Sequence, residues 1–136
     1  MEINRPDPVK MNEIVNTTNA PAPIGPYSQA VIANGFLFMS GQVAINPSNG
    51  QVISSSIHEE THQVMRNIKA VLLEASYGFE DVVKTTIFLS DMSLFAEVNE
   101  VYGSYFESNF PARETVAVKG LPKGVNVEIS MTAYKI

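Results

Sequence analysis

Phe110-Pro111-Ala112-Arg113-Glu114-Thr115-Val116 puts an arginine at the mouth of an apolar strand, with a proline stiffening its approach. Arginine stays charged at any accessible pH, and its planar fork of donors grips a carboxylate through two parallel hydrogen bonds. A site built on Arg113 would therefore want an acid. Fifteen residues on, Glu128 interrupts the last apolar strand, and Gly25-Pro26-Tyr27-Ser28 offers a rigid turn carrying a phenol. Arginine, glutamate and tyrosine together could bind and hydrolyse a small carboxylic acid. Each residue also has a plainer reading, since an arginine before a strand is usually solvated or salt-bridged, and so is a glutamate on a half-buried strand.

A second pattern, His58-Glu59-Glu60-Thr61-His62, matches H-E-x-x-H, in which two histidines one helical turn apart bind zinc and the glutamate activates water. A catalytic zinc needs a third protein ligand, and the chain has no other histidine and no cysteine. Both histidines fall beside the apolar stripe of the helix that carries them, so the match reads as a coincidental surface pattern and no metal is expected. Glu59 and Glu60 read as first-turn acids facing the helix dipole. No G-x-S-x-G, Walker loop or dinucleotide fingerprint is present, which leaves serine-hydrolase, nucleotide-triphosphatase and Rossmann readings without support.

The elements that must position these residues follow from periodicity and breakers. Ala30-Val31-Ile32-Ala33 and Phe36-Leu37-Phe38-Met39 flank Asn34-Gly35, a hairpin signal. After the breaker cluster Asn46-Pro47-Ser48-Asn49-Gly50, Ser56 to Glu59 fits a capping box, and Ile57, Thr61, Val64, Ile68, Val71, Leu72 and Ala75 keep one helical face. Val82 to Leu89 is a buried strand, and a second helix capped by Asp91 or Ser93 presents Phe95, Val98, Tyr102, Tyr105 and Phe106 to a sheet. Two strands follow, Thr115 to Lys119 and Val125 to Tyr134, the second alternating apolar residues with Asn126, Glu128, Ser130 and Thr132. The order β-β-α-β-α-β-β predicts an α+β sandwich: one mixed sheet, both helices on one face, and an opposite face that carries Glu128 and needs water, a ligand or a partner subunit. Residues 1–16 read as an extended N-terminal arm without chemistry, and 17–136 as a single domain.

At 136 residues the chain can bury a core without staples. Its net charge of −5 disfavours broad nucleic-acid binding. Zero cysteines exclude a thiol nucleophile. No apolar run reaches membrane-spanning length, and the first ten residues lack the features of a signal or transit peptide, so the expected location is cytoplasmic.

Taken together, Gly25-Pro26-Tyr27-Ser28-Gln29, Ser40-Gly41-Gln42, Asn99-Glu100-Val101-Tyr102, Phe110-Pro111-Ala112-Arg113, Leu121-Pro122-Lys123 and Val127-Glu128-Ile129 resemble the Rid (YjgF) family of enamine and imine deaminases, also called L-PSP ribonucleases. The resemblance runs from about Thr17 to Ile136. It implies a chorismate-mutase-like fold, a homotrimer with three clefts between subunits, no cofactor, and hydrolysis of 2-aminoacrylate and its imine tautomer to a 2-oxo acid and ammonia. It also implies that Arg113 binds the substrate carboxylate, that Glu128 orders the attacking water, and that Tyr27, Ser40, Gly41, Asn99 and Thr115 line the pocket. Thr115 stands where many relatives carry cysteine; the family uses mainly the main chain there, so hydrolysis should survive. Two rivals stand beside the deaminase: a non-catalytic module that senses 2-oxo acids through the same arginine, and a ribonuclease, which the acidic charge disfavours.

Overall fold

Asn34 and Gly35 both take positive φ, 51° and 85°, the sign that a two-residue hairpin turn of the primed type requires. They join β2 (Ala30–Ala33) to β3 (Phe36–Met39). The computed structural model describes residues 12–136. The remaining elements are β1 (Asn12–Val15), α1 (Ile57–Glu74), β4 (Val82–Leu89), α2 (Phe95–Gly103), β5 (Ala112–Ala117) and β6 (Val127–Tyr134). One six-stranded mixed sheet runs in the order β1-β2-β3-β6-β4-β5, antiparallel except for the parallel pair β4–β5. Strand β6 separates β3 from β4, so α1 and α2 serve as the two crossovers that parallel neighbours and next-neighbours require.

The Ser56 hydroxyl caps α1 by accepting from the Glu59 amide at 3.1 Å, and Val64, Ile68, Val71 and Leu72 of that helix are fully buried. Asp91 caps the 3-10 turn Met92–Leu94 that leads into α2, accepting from the Ser93 amide at 2.8 Å. Val98 and Tyr102 of α2 join the same core, while Tyr105 and Phe106 lie just beyond the helix and pack against it. Val127, Ile129, Met131 and Ala133 of β6 sit beneath both helices with 2 % exposure or less, as the alternation predicts.

Other details also differ from the sequence reading, the last strand among them, which begins at Val127 rather than Val125. The expected arm over 1–16 divides: residues 1–11 lie outside the described residues, and Asn12–Val15 form strand β1 against β2. Strand β5 begins at Ala112 rather than Thr115, because the parallel register with β4 starts at the Lys84–Ala112 pair. Arg113 is therefore inside the strand. Glu60 lies in the first turn of α1 as expected, but it is 1 % exposed and also accepts from the Asn126 amide at 2.8 Å, the Asn126 side chain at 2.9 Å and the Val127 amide at 3.1 Å. Burying a carboxyl is costly unless such donors replace its hydration.

Candidate functional site

Strand β3 leaves β6 at the Phe38–Thr132 pair and rejoins it at the Gln42–Ile129 bridge, so four residue steps on one side match three on the other. The extra residue is a bulge centred on Ser40-Gly41, a device that re-aims side chains beside sites. The Ser40 hydroxyl donates to the Ser28 carbonyl at 2.6 Å and its amide to the Gln29 carbonyl at 2.9 Å, tying the bulge to the Tyr27 turn. Gly41 backs directly onto Glu128: a Cβ there would overlap the carboxylate. Its φ lies outside the left-handed region, so space rather than backbone freedom requires the glycine.

Tyr27, Ser40, Gly41 and Glu128 thus share one concavity of about 400 Å³, walled also by Pro21, Ile24, Ile45, Pro122 and Lys123. Tyr27 is half exposed at its mouth, its hydroxyl accepting from the Ile24 amide at 3.3 Å. Burial pushes the Glu128 carboxyl above the usual glutamate range. A carboxyl shifted upward is a stronger base than an ordinary glutamate once ionised.

Buried amides fix the walls. The side chain of Gln29, 2 % exposed, accepts from the Thr17 amide at 2.7 Å and donates to the Thr17 carbonyl at 3.0 Å and the Pro21 carbonyl at 2.9 Å. Asn67 on α1 donates to the carbonyls of Val43 and Ile45 at 3.0 Å each. Glu60 holds the residues just before Glu128. Sequence reasoning missed all three roles; the available signal was a polar residue at an otherwise apolar position, as Asn67 is between Val64 and Ile68.

Arg113 lies elsewhere. It pairs in register with Thr85, which pairs with Met131, and both are buried under the helices. Its guanidinium donates to the Asn99 carboxamide oxygen at 2.8 Å and stacks 5.1 Å from the Tyr102 ring centroid and 5.6 Å from that of Phe95. Burial raises the Tyr102 phenol above its ordinary range, partly offset by its bond to Thr85 and by the Arg113 charge. Thr115, two residues on, points to the same face, and its hydroxyl is buried without a hydrogen-bond partner. Glu128 lies between fully buried Val127 and Ile129 and so projects from the opposite face. Within one chain the expected site residues form two groups: Arg113, Asn99 and Thr115 on the helix face, and Tyr27, Ser40, Gly41 and Glu128 on the other.

A family model described as Endoribonuclease L-PSP matches residues 17–135. The chain belongs to the Rid/L-PSP family. The human 2-iminobutanoate/2-iminopropanoate deaminase is 44% identical over 92% of this chain and 91% of its own length. A solved Rid family protein from Yersinia pestis superposes with a TM-score of 0.89 at 46% identity, covering 91% of this chain and 99% of that one. E. coli TdcF, solved with bound serine, superposes at 0.87 and 34% identity over 91% and 99% of the two chains. The Rid fold, expected as a chorismate-mutase-like α+β sandwich, is the mixed sheet with two helices described above. No helix of the described residues is long and apolar enough to cross a membrane.

Proposed function

We propose that the protein is a 2-iminobutanoate/2-iminopropanoate deaminase that acts without a cofactor, its sites completed between copies of the chain: Arg113, Asn99 and Thr115 from one, Tyr27, Ser40, Gly41 and Glu128 from the next. The observation that carries this reading is the division of the two groups between opposite sheet faces. A carboxylate grip and a raised carboxyl that can serve as a base are each well built, and neither is useful alone. The face bearing Glu128 also exposes apolar side chains at the sheet, Phe38 at 50 % and Val116 at 45 %, as a surface covered by another copy would. A homotrimer with three such clefts is the assembly proposed. The deaminase named among the relatives and the serine carried by TdcF favour a small amino-acid-derived ligand.

The chemistry asks little of the protein. A protonated imine is already electrophilic, so catalysis consists of holding the carboxylate and aiming a water. The Arg113 fork, braced by Asn99 and two rings, takes the substrate carboxylate. Glu128 accepts a proton from water as the water oxygen bonds to the imine carbon. Glu128 returns that proton to the nitrogen of the carbinolamine so formed, then takes the hydroxyl proton as the C–N bond breaks and passes it to the departing ammonia, leaving the 2-oxo acid. Protonated imine and water go to 2-oxo acid and ammonium, and Glu128 ends as it began. Thr115 contributes through its main chain, and its unpartnered hydroxyl favours a polar ligand at that edge.

The test is a coupled assay in which a dehydratase generates 2-aminoacrylate while semicarbazide competes for the imine. The protein should divert imine to 2-oxo acid. Tight 2-oxo-acid binding without turnover would instead establish the sensor. The family model's description raises RNA cleavage as a further reading, but the chain's net charge is −5 and the concavity is lined by one lysine and no histidine. Salt-dependent RNA binding would revive it.

A further inference from the structure

The two histidines set aside above are organised in a way that their spacing alone does not dictate. We propose that His58 and His62 form a surface chelate for a late first-row divalent ion, taking copper(II) most tightly, with Tyr105 as the group that orients one ligand. Their ring centroids lie 4.7 Å apart with planes at 68°. A metal–imidazole bond of about 2.0–2.1 Å puts each ring centroid roughly 3.2 Å from the ion, and two such arms at about 90–110° end roughly 4.5–5.2 Å apart. The observed separation falls inside that window.

One ring nitrogen already has a partner. His62 Nδ1 lies 2.8 Å from the Tyr105 hydroxyl, and His58 Nδ1 lies 3.8 Å from a Glu59 carboxylate oxygen. With its proton on Nδ1, His62 donates to the Tyr105 oxygen and leaves its Nε2 lone pair for an ion, whereas His58 makes no hydrogen bond at 3.8 Å and is free to turn. Metal-bound histidines are usually held as His62 is, with the second nitrogen tied to an oxygen that fixes tautomer and ring plane. Tyr105 is itself fixed, its ring packed 5.5 Å from that of Phe79. His58 is half exposed, so an ion reaches it from solvent.

Two charges oppose a cation here: the positive end of the α1 dipole and Arg66, one turn further along. Glu59 counters them, whereas Glu60 is committed to Asn126 and Val127. Among the described residues no group of three or more histidine, cysteine or acidic side chains could hold a metal. The protein therefore supplies two cis nitrogens and leaves the other positions to water or an incoming ligand, a donor set that suits tetragonal copper(II) or nickel(II) better than a closed structural zinc. Neither histidine lines the concavity with Glu128, and neither is among the partners of Arg113, which are Asn99, Phe95 and Tyr102.

The experiment is calorimetric titration of copper(II), nickel(II) and magnesium into the untagged full chain, with electron paramagnetic resonance of the copper form. One copper per chain should bind, more tightly than nickel, with nitrogen coupling from two imidazoles, and magnesium should give no heat. His58→Ala and His62→Ala should each weaken copper at least about 10-fold, and Tyr105→Phe about 10-fold, with imine hydrolysis unchanged in all three. Wild-type copper affinity in the double histidine variant, or coupling from a single nitrogen, overturns the chelate. Unchanged affinity in Tyr105→Phe overturns the role given to Tyr105.

Discussion

Gly41→Ala isolates the placement of Glu128 from everything else in the fold. The added Cβ would overlap a carboxylate oxygen and lie 2.7 Å from Cδ and 2.9 Å from Cγ of Glu128. Carbon atoms rest at about 3.5–4.0 Å, so the carboxyl must retreat by about 1 Å. A misplacement of that size in a reacting group costs on the order of 100-fold in rate, about 2.7 kcal/mol of transition-state free energy. The fold should notice far less. The atoms displaced belong to the end of a flexible side chain, and removing a glycine from the unfolded ensemble stabilises by about 0.4–1 kcal/mol where φ allows alanine. Thermal unfolding should therefore shift little, 2-oxo-acid affinity at Arg113 should persist, and turnover in the semicarbazide assay should fall by about two orders of magnitude. Wild-type turnover would show that the Glu128 position is irrelevant to the chemistry. Unfolding of the variant would show that Gly41 serves packing.

Arg113→Lys keeps the charge and loses the fork that reaches Asn99, so calorimetry should show 2-oxo-acid binding weakened by about 2–5 kcal/mol. Glu128→Gln should lower turnover and leave that binding largely intact. It should also raise the melting temperature near neutral pH: burial raises the folded pKa of Glu128, so its contribution to stability is full below the unfolded pKa and is lost as pH rises through the folded one. The advantage of the glutamine variant should close as pH falls into the ordinary glutamate range; a constant gap would refute the burial argument. Glu60→Ala leaves the Asn126 and Val127 donors without their acceptor, and denaturant titration should show a loss of about 3 kcal/mol or more.

Local chemistry made much of this legible. Asn34-Gly35, the Ser56 cap and the alternation of Val127 to Ala133 each state their conformation in adjacent residues, and the structure follows them. Strand β1 escaped because only Val15 of its four residues is buried, which leaves no alternation to read at a sheet edge. The burial of Glu60 was illegible for a different reason, since its partner Asn126 lies 66 residues away. The same distance effect hid the division of the site. Alternation along β6 placed Glu128 on the face away from the helices, but the face of Arg113 depends on the parallel register of β5 with β4, which no local pattern announces.

The central claim, that Arg113 and Glu128 meet only across copies of the chain, is tested most directly by subunit complementation. Arg113→Ala and Glu128→Gln are each expected to retain little of the wild-type turnover. Light scattering of the wild type should give three times the chain mass of 14.9 kDa. If the two variants are unfolded together at equal concentration and refolded, random trimers should contain intact Arg113–Glu128 pairs at about one quarter of their clefts, and about a quarter of the wild-type imine hydrolysis should return. No recovery from properly assembled mixed trimers would mean that both residues act from the same chain, and would contradict the account.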